Sequence, residues 1–352
     1  MNEMTERFYN ILYNDYAGLP GLGEQPDEGQ VEGLSKIARR HRLTELFLKA
    51  TAKASAEHRF EYQTFAIRQY QREWEVREEL NAVLRELDAS GIRYTMIKGF
   101  FFTQAYPEPG LRALKDADII IDDESMESIT ALLKARGYLP LPKAKMDQSF
   151  VKPGFLELEI HYKFWDDVWL SNRNIKKWKA VWTPTEYVVE NLRYNGMPVE
   201  DEILNWMLHL KKHFICGSAN MRFLFDILYA SRRYEIDWDR VREKAAQTGV
   251  LKLFEVTRAF CRDGSLDSPE ARALVEAVAG YNWNSECMYP HISARLMSLP
   301  GIGRIVTFTQ ETVRGLVRRR GSLPKCMKLA ALSSSMFAKY SAAGKRVGLK
   351  LF

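Results

Sequence analysis

Apolar residues recur at helical spacing along most of this chain and alternate with polar ones in two short stretches. Residues 33–47 carry an amphipathic helical stripe after a Gly-, Pro- and acid-rich connection at 18–33. A longer helix is predicted over 56–89, where no proline occurs and Trp74, Val76, Leu80, Val83, Leu84 and Leu87 fall near helical spacing. Ser90-Gly91 ends it. Residues 93–97 then read as a short strand, Lys98-Gly99 as a tight point, and 100–106 as a helix halted at Pro107-Glu108-Pro109-Gly110. A strand at Asp116 comes next, then a helix over 123–136 with Gly137 as its cap, then a loop and a second strand over 156–164. Beyond about residue 183 the pattern is helical almost throughout, with apolar stripes at 201–214, 221–233, 238–247 and 251–262. The order predicts an α+β chain: N-terminal helices and a mixed-sheet core over 1–185, an all-α domain over 186–300, and a basic helical tail over 301–352.

The two strands carry the candidate chemistry. In Asp116-Ala117-Asp118, followed by three isoleucines, extended backbone aims both carboxylates at one face, because side chains alternate along a strand. In Leu156-Glu157-Leu158-Glu159-Ile160-His161, the same alternation puts Glu157, Glu159 and His161 on one face and the leucines and isoleucine on the other. Oxygen donors so arranged suit a divalent cation. The second set could instead be the solvated face of an edge strand.

Composition narrows the class. At 352 residues, 46% apolar and 27% charged, the chain has the make-up of a soluble globular protein with room for two cores. A polar start and the absence of any run of about 18 apolar residues predict neither signal peptide nor transmembrane segment, and hence a cytoplasmic location. Cys216, Cys261, Cys287 and Cys326 are scattered and read as separate thiols. The net charge of +6 is uneven: residues 301–352 hold eleven Lys or Arg against Glu311 alone, so the rest is slightly acidic. That tail suits weak contact with an anionic surface, and its few aromatics do not indicate nucleic-acid binding. His209 and His213, four apart on a predicted helix, lack the glutamate of a HExxH zinc motif and read as packing residues. Asp226, inside an apolar helix, is expected to meet a polar or basic partner between the domains.

Taken in order, Lys98-Gly99, Tyr106-Pro-Glu-Pro-Gly-Leu-Arg112, Asp116-Ala-Asp118-Ile-Ile-Ile, Gly137-Tyr138 and Leu158-Glu159-Ile-His161-Tyr resemble the uncharacterised bacterial nucleotidyltransferase family, part of the polymerase-β-like nucleotidyltransferase superfamily. His209-Leu-Lys-Lys-His213, Phe223-Leu-Phe-Asp226-Ile-Leu and Ile236-Asp237-Trp238 resemble its C-terminal pattern, so the likeness covers about residues 35–265. It implies a minimal mixed sheet with three catalytic, metal-binding acids: Asp116 and Asp118 as a pair, and Glu159 as the third, with Glu157 as the alternative. It implies Mg²⁺ (or Mn²⁺) as cofactor and an NTP as substrate. Lys98, Gly99, Arg112 and His161 are then the residues that meet phosphate. The wider superfamily has Gly-Ser or Gly-Gly where this chain has Lys98-Gly99-Phe100, whereas the narrower family tends to carry Lys-Gly.

The expected activity is therefore metal-dependent transfer of a nucleotidyl group from an NTP to an unidentified acceptor, whether small molecule, peptide or glycan. Two other readings stand beside it: transfer of a sugar or phosphoryl group to a peptide or glycan, and a catalytically inactive nucleotide- or partner-binding protein.

Overall fold

The computed structural model describes residues 1–19, 28–52, 56–108, 110–114, 116–141, 147–162, 185–189, 192–216 and 219–280. The expected basic tail at 301–352 lies outside them. The chain opens with α1 (Glu3–Ala17), begun by Asn2, whose side chain accepts the Thr5 N–H at 2.8 Å. Helices α2 (Glu28–Arg40) and α3 (Thr44–Thr51) follow. The long α4 (Ala56–Ala89) spans about 50 Å at 1.5 Å per residue and ends at Gly91. There a φ of 66° favours a residue without a Cβ.

A seven-stranded mixed sheet forms the core. Its strands are β1 (Tyr94–Ile97), β2 (Asp116–Ile121), β3 (Leu139–Pro140), β4 (Asp147–Val151), β5 (Glu157–His161), β6 (Thr185–Val189) and β7 (Leu192–Gly196), in the order β3-β4-β5-β2-β1-β7-β6. Among the described residues two α-helices interrupt them, α5 (Gly99–Thr103) and α6 (Met126–Ala135). Strand β5 lies between β4 and β2, so the edge-strand alternative for Glu157, Glu159 and His161 does not hold. Strands β6 and β7 fall in a stretch expected to be helical. Tyr187, Val188, Val189 and Tyr194 have the branched and aromatic side chains that suit a pleated surface, and the hairpin extends the sheet instead.

The two faces of the sheet have different fates. Met96, Ala117, Ile119, Ile121, Leu158 and Ile160 point to one side and meet Val76, Leu80, Val83, Leu84 and Leu87 of α4 and Ile129 and Leu133 of α6 in one apolar cluster. Burying each such side chain stabilises the fold by roughly 1.5–3 kcal/mol. The opposite side carries Asp116, Asp118, Glu157, Glu159 and His161, with only a small apolar patch of Ile97, Ile120 and Met197.

The remaining helices among the described residues are α7 (Val199–Cys216), α8 (Arg222–Arg233), α9 (Trp238–Thr248), α10 (Leu251–Arg262) and α11 (Pro269–Gly280). The second large apolar cluster joins Phe8, Tyr9, Leu12, Leu34, Leu46 and Phe47 of α1 to α3 with Leu204, Met207, Phe225, Leu253 and Leu274 of these later helices. The Tyr9 hydroxyl donates to the Gly264 carbonyl at 2.7 Å, fastening α1 to the turn after residue 262. The first fifty residues thus pack with the last helices, far away in sequence. None of the helices among the described residues is long and apolar enough to cross a membrane.

Candidate active site

Register decides which acids meet. Strands β2 and β5 run parallel, with Asp116 opposite Glu157, Asp118 opposite Glu159 and Ile120 opposite His161. On the other side β1 runs antiparallel and sets Ile97 opposite Asp118, so Lys98 stands just past the end of β1 beside that acid. Ligand atoms of Asp118, Glu159 and His161 all lie within 4.8 Å of one another. His161 Nε2 is 2.8 Å from Asp118 Oδ1 and 3.6 Å from Glu159 Oε2. The Lys98 ammonium contacts the same Oδ1. Asp116 and Glu157 lie on the same face, two residues back along their strands, outside that close group.

The group's electrostatics follow from burial and from its own cations. Burial alone would raise the Asp118 carboxyl, but Lys98 and His161 overcome it and hold that acid well below the usual carboxylate range. For Glu159 the His161 hydrogen bond works downward, while burial and the neighbouring Asp118 charge prevail and raise it. Burial and Lys98 would lower His161, yet its bonds to the two carboxylates raise it. On the far side of the ring, Asp147 of β4 lies 4.0 Å from Nδ1. Asp147 was not legible as a site residue, because Asp147-Gln-Ser-Phe-Val has no alternation of its own and becomes β4 by pairing with β5.

Lys98 is also a backbone feature. Its φ of 61° and ψ of −114° form a conformation that L side chains rarely adopt, with a cost of about 1–3 kcal/mol. The Lys98 N–H donates to Oε2 of Glu202 on α7 at 3.2 Å. Glu202 is buried, and its Oε1 has no hydrogen-bond partner among the described residues. Burial pushes its carboxyl up to about 8. Sequence reasoning missed Glu202, because nothing local distinguishes it from the other acids of Glu200-Asp201-Glu202.

Arg112 occupies a different place from the one expected of a simple phosphate ligand. Its Nε and Nη2 donate to Asp226 Oδ1 and Oδ2 at 2.6 and 3.0 Å, and the Tyr106 hydroxyl donates to Oδ1 at 2.8 Å. This buried pair ties the segment before β2 to α8, the partnership anticipated for Asp226. The third nitrogen, Nη1, faces the start of α5, 3.3 Å from where a Cβ on Gly99 would stand. Gly99 thus allows the guanidinium to approach the backbone closely. His209 and His213 contact each other at 2.6 Å between Nε2 atoms and pack on Phe223.

Residues 27–263 match a family described as uncharacterised nucleotidyltransferase. The chain belongs to that family. Membership supports a nucleotidyltransferase-type enzyme, and the Asp118-Glu159-His161 group is its candidate metal centre. Among solved structures, this nucleotidyltransferase family member is similar to an antigenic nucleotidyltransferase-like protein from Paracoccidioides brasiliensis, at 16% identity over 56% of this chain and 92% of that one, with a TM-score of 0.37. That likeness is slight. No curated protein matches.

The donor set fits a divalent cation. Two carboxylates from adjacent strands supply hard oxygen ligands, and an imidazole beside them widens the choice toward Mn²⁺. Lys98 and His161 now occupy the Asp118 oxygen that such an ion would need, so binding would require the ammonium to move aside.

Proposed function

We propose that this chain transfers a nucleotidyl group from an NTP to an acceptor hydroxyl, with Asp118 and Glu159, assisted by Asp116, as ligands of Mg²⁺ or Mn²⁺. The observation that carries the reading is the parallel register setting Asp118 beside Glu159, with His161 bonded to the former, on the sheet face free of α4 and α6. When bound, the ion would offset charge on the attacking and leaving oxygens of an in-line displacement. Lys98, displaced from Asp118, supplies an ammonium to the phosphates. Arg112 is held by Asp226 and directs Nη1, which donates to the Thr103 hydroxyl at 3.5 Å, toward the backbone at Gly99. Glu159 accepts the proton of the acceptor hydroxyl, and His161 keeps the two carboxylates oriented between β4 and β2.

The test is direct. The full chain is incubated with each labelled NTP and Mg²⁺ or Mn²⁺, and pyrophosphate release and a labelled product are measured. Asp118→Asn and Asp116→Asn should each lower turnover by at least a hundredfold while leaving the fold intact. Turnover unchanged in both variants sinks the reading, and product formed only from nucleotide sugars would reassign the donor.

One observation favours a second reading. Lys98 and His161 already neutralise Asp118 without any metal, as suits a protein that binds nucleotide or a partner without turnover. NTP binding with no pyrophosphate release across a broad panel of acceptors would select it.

A further inference from the structure

His161 stands on β5 between two strands that each bring it a carboxylate. On one side β2 supplies Asp118, whose Oδ1 is 2.8 Å from Nε2. On the other, β4 sets Asp147 directly opposite His161, and residues so paired share a face of the sheet. Asp147 Oδ2 lies 4.0 Å from Nδ1, just beyond hydrogen-bond length. Asp147 thus backs the ring, while Nε2 looks into the gap between Asp118 and Glu159, whose Oε2 is 3.6 Å away. Donor atoms held about 2.1 Å from one ion stand roughly 3.0–3.4 Å apart at octahedral or tetrahedral angles. The two Nε2 separations bracket that spacing. An ion entering among the three groups would press Nε2 away from Asp118 Oδ1. Because β2 and β4 flank β5 on opposite sides, that movement carries Nδ1 toward Asp147.

We infer that His161 is itself a ligand of the ion, through Nε2, and that Asp147 is its positioning residue, so the centre takes Mn²⁺ in preference to Mg²⁺. Imidazole nitrogen suits transition-metal ions, whereas Mg²⁺ is held through oxygen. A carboxylate on the far nitrogen fixes the tautomer and the aim of a ligating imidazole, and losing such a partner weakens metal binding about 10- to 100-fold. Strand pairing places Asp147 for that task, at a distance the incoming ion would itself shorten. The role of His161 then depends on occupancy. Without an ion it bonds Asp118 and orients the carboxylates; with one it exchanges that bond for the ion. The Lys98 ammonium, on the same Oδ1, gives way at the same time. That the ion serves nucleotidyl transfer rests on the function proposed above; its ligation by nitrogen does not.

The full chain, stripped with EDTA and dialysed, is titrated calorimetrically with Mn²⁺ and with Mg²⁺ in the absence of nucleotide. Mn²⁺ should bind at least about tenfold more tightly. Spin-echo modulation of the bound Mn²⁺ should show the nitrogen coupling of a directly ligated imidazole, and His161→Gln should abolish it. The same variant should lose most of the preference for Mn²⁺. Asp147→Asn should keep the nitrogen coupling and weaken Mn²⁺ binding about 10- to 100-fold, yet change nothing further in the His161→Gln background. An acid that only supports the fold would lower both affinities by the same factor, and that result overturns the assignment of Asp147, as does an Mn²⁺ affinity that Asp147→Asn leaves unchanged. Mn²⁺ bound without nitrogen coupling, Mg²⁺ bound as tightly as Mn²⁺, or a parent that binds neither ion overturns the inference. If melting in EDTA shows that His161→Gln does not fold, the coupling in the parent and the Asp147→Asn affinity still decide. Nucleotide turnover separates the two claims. Nitrogen-ligated Mn²⁺ without turnover upholds this inference while the catalytic reading falls, and turnover with Mn²⁺ held through oxygen alone does the reverse.

Discussion

Replacing Asp226 tests whether α8 and the segment before β2 are held together by charge. Its carboxylate accepts three hydrogen bonds, at 2.6 and 3.0 Å from Arg112 and 2.8 Å from Tyr106, and both partners of the ion pair are buried, with side-chain exposures of 7% and 5%. Asp226→Asn keeps the shape and removes the charge. It leaves the Arg112 guanidinium desolvated with a weaker amide partner and a long contact from Nη1 to the Thr103 hydroxyl at 3.5 Å. Breaking a buried pair on one side costs about 3–5 kcal/mol, most of it the penalty of the orphaned charge. Tyr106→Phe removes one neutral donor and should cost about 1 kcal/mol. The assay is urea unfolding followed by circular dichroism and tryptophan fluorescence, with free energies taken only where the two transitions coincide. At a slope of about 2–3 kcal/mol/M, the Asp226→Asn midpoint should fall by about 1–2 M. The double variant Arg112→Met/Asp226→Leu should recover most of that loss, because no charge is left buried. A loss below about 1 kcal/mol in Asp226→Asn, or a double variant no better than the single, refutes the reasoning.

Two further predictions concern pH. His41 is buried, accepts a backbone N–H through Nδ1 and is held neutral, with burial lowering it to about 4. A folded value below the unfolded 6.5 means stability is present above pH 6.5 and is lost as pH falls toward 4, by on the order of 3 kcal/mol. His41→Asn should flatten that slope, and parallel urea midpoints for parent and variant between pH 7 and 4.5 would dismiss the assignment. Glu202 behaves oppositely: raised to about 8 by burial, with Lys98 and Asp118 as its charged neighbours, it disfavours the folded state progressively as pH rises from about 4.5 to 8. Glu202→Gln keeps an acceptor for the Lys98 N–H, so its stability relative to the parent should increase across that window; a constant difference at pH 5 and pH 9 would disprove the raised carboxyl.

Much of the fold was legible because local signals and packing agree. The helix predicted over 56–89 emerges as α4, since a proline-free amphipathic run meets a Ser-Gly stop and buries one stripe on the sheet. The acidic strands were readable from the alternation that aims one face at the core and the other at the site. What was not readable depends on distant partners. β3 is two residues long, and β4 shows its pattern only once paired with β5. The partner chosen by Arg112 lies 114 residues away. Nothing near Phe8 or Tyr9 announces that they pack against helices beyond residue 200. Glu202 joins the site only because α7 delivers it to the end of β1.

That last contact bears on why a lysine stands at position 98. A glycine there would relieve a backbone cost of about 1–3 kcal/mol at φ 61°. It would also leave Asp118, buried on the site face, with His161 as its only close cation. The ammonium offsets a burial penalty that an unpaired carboxylate would otherwise meet by taking up a proton, and a protonated acid is a poor metal ligand. The strained turn therefore keeps Asp118 ionised until something else claims it. Glu202 accepts the N–H of that strained residue, so α7 helps set the geometry at the end of β1. A shift of α7 would reach Asp118 through one hydrogen bond, one strained residue and one ion pair, which makes Glu202 part of the site's electrostatics.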